Sequence, residues 1–232
     1  MYKTLSATRT VTTVEILKKR IEERFPSSGL LEVCKELCSI ASESKQKSEQ
    51  IAKPNILLRI FITLIIVLMI AALVYSVQLL DITFSQFTLG ELIQIIEAGM
   101  NELILIGAAI IFLTTTETRM KRNKSLDSLH ELRSIAHVID MHQLTKDPSA
   151  ILQARILTPS SPKRELTAYQ LSRYLDYCSE MLALTGKIAA LYAQHSRDSV
   201  VLSAVNEVEN LASGLSRKIW QKIMILEKYN QP

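Results

Sequence analysis

Two long apolar stretches divide the polar parts of the chain. The first, Ile60 to Leu80, has 21 residues and no formally charged side chain. A helix of about 20 apolar residues matches the ~30 Å hydrocarbon core of a bilayer. The second, Leu92 to Leu113, is interrupted by Glu97, Asn101 and Glu102. Because lipid cannot hydrogen-bond to backbone amides, both stretches are expected to be helical, and the pattern predicts a two-span transmembrane helical hairpin.

The polar segment before the first span has apolar positions at helical spacing. An amphipathic helix is predicted over residues 11–25 and a second polar helix over residues 30–52. The apolar face of the first helix contains Val14, Leu17 and Ile21. The second helix is expected to close at Lys53 and Pro54, because a residue before proline is disfavoured in a helix.

The second span is predicted to continue into the cytosol as a helical stalk. No Gly or Pro occurs between Gly107 and Pro148, so a helix can run to about His142 unless Asn123–Ser125 breaks it. Its apolar seam follows a 3,4,3 spacing and contains Leu129, Leu132, Ala136 and Ile139. Such a seam is typical of helices that pack in coiled-coil fashion.

The last third of the sequence predicts a helical hairpin. Its first helix covers residues 165–196, and Asp198 is predicted to cap the start of the next one. The first apolar seam contains Leu171, Leu175, Cys178, Leu182, Thr185, Ala189 and Tyr192. The second contains Val201, Val205, Val208, Ala212, Leu215 and Ile219. A short helix after Asp147 and a turn at 158–162 are expected to precede this hairpin.

The predicted fold class is all-α, because no alternating strand pattern is present. Gly and Pro number 6 each in 232 residues. Together they make up about 5% of the chain, compared with roughly 12% of an average chain. The predicted parts are a cytosolic N-terminal helical segment over 1–54, a transmembrane hairpin over 55–118, a helical stalk over 119–145 and a cytosolic C-terminal helical hairpin over 146–232.

The basic residues predict the orientation of the hairpin. Residues 1–54 contain ten Lys and Arg, the loop 81–91 contains none, and a basic cluster follows the second span: Arg119, Lys121, Arg122 and Lys124. The positive-inside rule places both termini in the cytoplasm of a plasma or inner membrane. Residues 119–232 carry 16 basic and 11 acidic side chains, a mild excess that suits anionic lipid and requires no nucleic acid.

The polar residues of the second span are the first candidate site. On a helix, five polar or small residues fall within about 60° of one another and form a polar stripe: Gln94, Glu97, Asn101, Ala108 and Thr115. With Glu102, they could line a pore in a homo-oligomer. In a second interpretation, a protonated Glu97 forms a hydrogen bond with Tyr75, Ser76 or Gln78. In a third, the span starts later in the sequence and covers residues 100–118, so that Asn101 and Glu102 lie at the outer interface.

Histidines form a second candidate site on the stalk. His130, His137 and Met141 share one face, with Asp140 beside it. His130 and His137 are two helical turns apart, about 10.5 Å along the axis, which is too far to share one metal ion at bonds of ~2.1 Å. A pH-sensitive or metal-sensing face is therefore a hypothesis on these residues, and no resident metal is expected.

No constellation for catalysis is apparent. Glycine-rich phosphate loops, nucleophile elbows and zinc-protease helices are missing from the sequence, and three cysteines make no disulfide framework. We therefore expect a non-enzymatic protein without a cofactor, whose helical domain self-associates, as a homo-oligomer, or recruits a cytosolic partner.

The alternative function is a homo-oligomeric ion channel or pore lined by the polar stripe. The layout resembles the small two-span SLATT-type effectors of bacterial conflict systems, a likeness of layout without a shared motif.

The tripeptide Gly99-Met100-Asn101 resembles the signature of CorA-type magnesium channels, but in that family the signature follows the first of two C-terminal spans. Here it opens the second span, with more than 110 residues after it, so no CorA property is carried over.

Overall fold

The computed structural model describes residues 4–79, 89–148 and 166–229. Within these ranges every regular element is an α-helix and no strand occurs, which confirms the all-α prediction. The helices are α1 Ala7–Arg24, α2 Gly29–Ala52, α3 Ile56–Leu79, α4 Leu89–Leu144, α5 Ala168–Ala193 and α6 Ser199–Tyr229. The helix predicted after Asp147 and the turn predicted at 158–162 lie outside the described residues.

Hydroxyl and carboxylate side chains set where the helices start. The Ser6 hydroxyl accepts a hydrogen bond from the Arg9 amide at the start of α1. Thr167 and Gln170 form a reciprocal capping box at the start of α5. Asp198 accepts from amides in the first turn of α6, so its predicted role as an N-cap is confirmed.

Inter-residue contacts divide the chain into two units. The first unit contains Met1–Ala52 and Arg122–Pro232, and the second contains Lys53–Lys121. Helix α4 belongs to both, because it runs unbroken through Asn123–Ser125 and ends at Leu144. The helix predicted to run to about His142 is therefore continuous, and the break that the sequence left open at Asn123–Ser125 does not occur.

The first unit is built around one apolar core. The predicted seams of α1, α4, α5 and α6 are buried in it together with the inner face of α2. Removing each large aliphatic side chain from water contributes about 1.5–3 kcal/mol to folding. The largest fully buried side chains include Leu17, Leu37, Leu132, Leu182 and Ile219. The 3.6-residue period of the sequence thus identified the inner faces correctly.

Polar contacts join α1 to α5 at the surface of the first unit. The Arg20 guanidinium donates two hydrogen bonds to Glu180, at 2.7 and 3.1 Å. Next to this pair, the Phe25 ring makes edge contacts with Tyr174 and Tyr177 at centroid distances of 5.6 and 6.2 Å. Both tyrosines are buried, so they act as packing residues of the bundle.

The second unit contains α3 and the first part of α4. Two segments of the chain, one ending at Tyr75 and one starting at Leu92, are long and apolar enough to cross a membrane. Their most apolar 18-residue windows have mean hydropathies of 3.0 and 1.9, and most of the described side chains in them are exposed. Length and composition alone define this property.

Candidate functional site

The polar stripe of the second apolar stretch lies in the first part of α4. Its exposed members are Gln94, Glu97, Asn101, Glu102 and Ala108. Thr115 is half-buried, and its hydroxyl donates to the Ile111 carbonyl at 2.9 Å. Among the described side chains, none forms a hydrogen bond or ion pair with Glu97, including Tyr75 and Gln78; the Ser76 side chain lies outside them.

A charged cluster joins α3 to α4 in the second unit, and the sequence reasoning did not single it out. The Glu117 carboxylate accepts hydrogen bonds from the Arg59 Nε at 2.7 Å and from the Asn55 backbone amide at 3.1 Å. It also forms an ion pair with the Lys121 ammonium at 3.0 Å. The Glu117 side chain is only 14% exposed. The sequence did contain a signal for this contact. Arg59 directly precedes the first apolar stretch and Glu117 follows the second, so a hairpin places these opposite charges at the same end.

The stalk residues proposed as a sensing face do not form one cluster. His130, His137 and Met141 are exposed on α4, whereas Asp140 is half-buried. The Asp140 carboxylate accepts a hydrogen bond from the Gln143 amide nitrogen at 2.6 Å. Nowhere in the described ranges do three or more His, Cys, Asp or Glu side chains gather as a metal ion would require.

Lys222 of α6 also contacts Gln143, the residue that is hydrogen-bonded to Asp140. Its ammonium donates to the backbone carbonyl of Gln143 at 2.9 Å and to the side-chain oxygen of Gln143 at 2.5 Å. Burial lowers the pKa of Lys222, although Asp147 and Asp140 act in the opposite direction. Because the last carbonyls of a helix lack intrahelical donors, Lys222 acts as a C-terminal cap of α4 supplied by another helix.

Two of the three cysteines of the first unit, Cys34 and Cys178, are buried. Burial raises the pKa of Cys34 and of Cys178 to about 12. The thiolate is the nucleophilic form of cysteine, and at neutral pH it is scarcely populated at such values. Cys38 is partly exposed, and burial raises its pKa as well. All three thiols are free.

A groove of about 490 Å³ runs between α5 and α6. Small residues make up much of its lining: Ala183, Gly186, Ala212, Ser213 and Ser216. At one point the two helices are joined by a 2.6 Å hydrogen bond between the hydroxyls of Ser179 and Ser216. Lys187, Glu209 and Arg217 add charges of both signs to the lining.

The α5–α6 groove is bordered by apolar side chains that no part of the described chain covers. Trp220, the single tryptophan of the chain, lines the groove and is 53% exposed. Met224 follows one helical turn later and is 57% exposed. Large aromatic and methionine side chains are enriched at protein interfaces. The sequence reasoning missed this face because it followed only the buried seam of α6, although the lone tryptophan outside that seam was a usable signal.

Comparisons with protein-family models, with curated proteins and with solved structures found no match. The class of the protein therefore has to be inferred from its residues and their geometry.

Proposed function

We propose that this protein is a non-enzymatic integral membrane protein with a two-span anchor and a cytosolic helical interaction domain. The anchor is α3 with the first part of α4, and the interaction domain is the first unit. The observation that carries the proposal is the uncovered apolar surface of α3, whose 18-residue window has mean hydropathy 3.0 and whose large apolar side chains are mostly exposed. Exposing so large an apolar surface to water is unfavourable, and a bilayer removes it from water.

The charge distribution supports a cytoplasmic location for the first unit. Lys and Arg are concentrated before α3 and after residue 118, and the connecting segment 81–91 contains neither. Basic residues near membrane spans are retained on the cytoplasmic side. Both termini are therefore assigned to the cytoplasm of a plasma or inner membrane.

The Glu117 cluster supports a definite depth for the polar stripe. Charged groups are costly at the bilayer centre, so Arg59 and Glu117 are assigned to the cytoplasmic boundary. A helix rises 1.5 Å per residue, which places Glu97, 20 residues from Glu117, about 30 Å away along α4. That distance equals the hydrocarbon thickness, so Gln94 and Glu97 reach the outer boundary. In a simple anchor Glu97 then lies at the outer boundary, whereas Glu102, 15 residues from Glu117, lies about 22 Å along α4, in the outer part of the hydrocarbon.

Membrane insertion is tested by fractionation of the full chain. Membranes are washed with alkaline carbonate, which releases peripheral proteins, and the pellet is assayed for the protein. We expect the wild type to stay in the pellet. The double substitution Val67→Lys and Leu68→Arg should move it to the supernatant, because each charge at a span centre costs about 2.5–3.5 kcal/mol. Ile16→Arg, at an exposed position of α1, is the matched control and should leave the protein in the pellet.

Orientation is tested separately with reporter fusions. A reporter that is active only outside the cytoplasm should work when inserted in the segment 81–88 and fail at the C-terminus. Activity at the C-terminus would overturn the assigned topology, and release of the wild type by carbonate would overturn the anchor itself.

A pore is the second candidate function, and one observation favours it. Glu97 and Asn101 are exposed on α4 and have no partner among the described residues, so additional copies of the chain could enclose them. With the depth assigned above, a ring of Glu97 would stand at the outer mouth and attract cations. Ion flux through reconstituted vesicles tests this function. Flux that is equal in wild type, Glu97→Gln and Asn101→Ala would refute the assigned lining, and Glu131→Gln serves as control.

A further inference from the structure

Helix α6 has a second seam beside the one that enters the core. Its four members are 4, 3 and 4 residues apart: Ser213, Arg217, Trp220 and Met224. At about 100° per residue, this outer seam is centred roughly 130° from the buried seam. All four side chains are exposed. A spacing of alternating 3 and 4 residues is the pattern by which one helix packs along another, and no described helix covers it.

Two charges on the same side of α6 have no partner among the described residues. Glu209 and Arg217 both line the α5–α6 groove, and neither forms an ion pair or hydrogen bond with another residue in the described part of the chain. They are eight residues apart, about 12 Å along the helix, with Ser213 midway between them. A helix with opposite charges at equal distances from a central small residue is complementary to an antiparallel copy of itself.

We propose that a second copy of this chain occupies the α5–α6 groove, with the two α6 helices antiparallel about a two-fold axis at Ser213. Glu209 of each copy then pairs with Arg217 of the other. This inference rests on the proposed role of the first unit as an interaction domain, and it names the partner of that domain. The protein is a homodimer through this face.

The small residues of the groove make the close approach possible. Ala183, Gly186 and Ser213 leave room for side chains of the second copy, and Trp220 and Met224 on the rim lose their contact with water. Burying an aromatic and a thioether side chain supplies the apolar part of the interaction. The two charge pairs supply its register, because the same copies shifted along α6 would leave the charges unpaired.

The proximity of two Ser213 residues provides a direct test. A cysteine at a two-fold axis faces its own copy, and a disulfide requires Cα atoms within about 7 Å. Ser213→Cys is introduced into the full chain together with Cys38→Ser, which removes the partly exposed thiol. The protein is then oxidised in its membrane. We expect most of the protein to become covalent dimer. Ser203→Cys, an exposed position on the same helix but outside the outer seam, should give at least tenfold less.

Charge exchange tests the register independently. Glu209→Arg and Arg217→Glu should each lower the yield of the Ser213→Cys dimer several-fold, because like charges then face each other. Co-expression of the two variants should restore the yield in mixed dimers, since the arginine introduced at position 209 of one chain then meets the glutamate introduced at position 217 of the other. A purely structural role of either residue within one chain predicts no such restoration.

The outcomes separate this inference from the proposed function. Equal cross-linking at positions 213 and 203, or no restoration on co-expression, would overturn the groove dimer. If the same samples remain in the carbonate-washed pellet, the membrane anchor is unaffected by that result. A dimer detected by mass in mild detergent but not cross-linked at 213 would place self-association elsewhere and would also overturn the inference.

Discussion

The Arg122 guanidinium and the Asp198 carboxylate connect α4 to the start of α6 through a 2.6 Å contact. The second carboxylate oxygen of Asp198 accepts from the amides of Val200 and Val201 at 3.0 and 3.4 Å. Burial acts to raise the pKa of Asp198, but the hydrogen bonds from Arg122 and from the two amides outweigh it, so its pKa is lowered. One side chain thus caps a helix and forms an ion pair.

We expect Asp198→Ala to destabilise the first unit by about 2 kcal/mol. An N-cap aspartate replaced by alanine costs roughly 0.5–2 kcal/mol, and a partly exposed ion pair adds up to about 1 kcal/mol. Denaturant unfolding of the detergent-solubilised chain, followed by circular dichroism, measures the change. Asp127→Ala is the matched control, because Asp127 is exposed on α4. A loss as large in the control would contradict the role assigned to Asp198.

The same carboxylate should make stability dependent on pH in the acid range. A group whose pKa is lowered by folding stabilises the folded state above its unfolded value, about 3.9 for aspartate, and that stabilisation is lost as the pH falls through the folded pKa. Asp198→Asn keeps a capping side chain without the charge. We therefore expect the stability difference between wild type and Asp198→Asn to be largest near pH 7 and to shrink toward pH 3. A constant difference would exclude linkage through Asp198.

The helices and their buried faces were predictable because both are local properties. The seam from Leu129 to Ile139 repeats within a few turns of a helix, and the side chains that it contains are buried in the core. The N-cap role of Asp198 also depends on residues within three positions of it. Periodicity therefore identified which face of each helix is buried, but it carries no information on which helices meet.

The polar contacts between distant segments were not predictable for that reason. Arg59 and Glu117 are 58 residues apart, and Lys222 and Gln143 are 79 residues apart. Each of these pairs depends on how two helices are placed in three dimensions. The outer seam of α6 was overlooked for a different reason: it mixes Ser213 and Arg217 with Trp220, so its apolar signal is weaker than that of the core seam.

We expect Glu117→Gln to lower the thermal stability of the second unit by about 1 kcal/mol. Glu117 accepts from three donors that include Arg59 and Lys121, and neutralising it weakens the charge-assisted bonds. Glu32→Gln is the matched control, because Glu32 forms an exposed pair with Lys35 on one helix, worth about 0.2–0.5 kcal/mol. The melting temperature in detergent is the measurement, and an equal effect of the two substitutions would contradict a cluster at Glu117.

Lys222→Met should destabilise the first unit by about 1–3 kcal/mol, even though methionine packs well. Gln143 is only 2% exposed. Its backbone carbonyl keeps the Lys146 amide as a donor, but loss of the lysine removes the donor to its side-chain oxygen, which costs the desolvation of that group. Lys218→Met, at an exposed position one turn earlier on α6, is expected to have little effect. The two chemical-denaturation midpoints give the comparison, and a neutral Lys222→Met would show that Gln143 finds another donor.

The three cysteines should differ in their rate of reaction with a maleimide at pH 8. At a pKa of about 12, as burial gives Cys34 and Cys178, only about one thiol in 10⁴ is ionised at that pH, and thiolate is the reacting form. Cys38 is partly exposed and should be modified first, so that Cys38→Ser removes the fast phase seen by mass spectrometry. All three should react once the chain is denatured. Modification of Cys178 at the rate of Cys38 in the native protein would mean that the core face of α5 opens far more often than its burial implies.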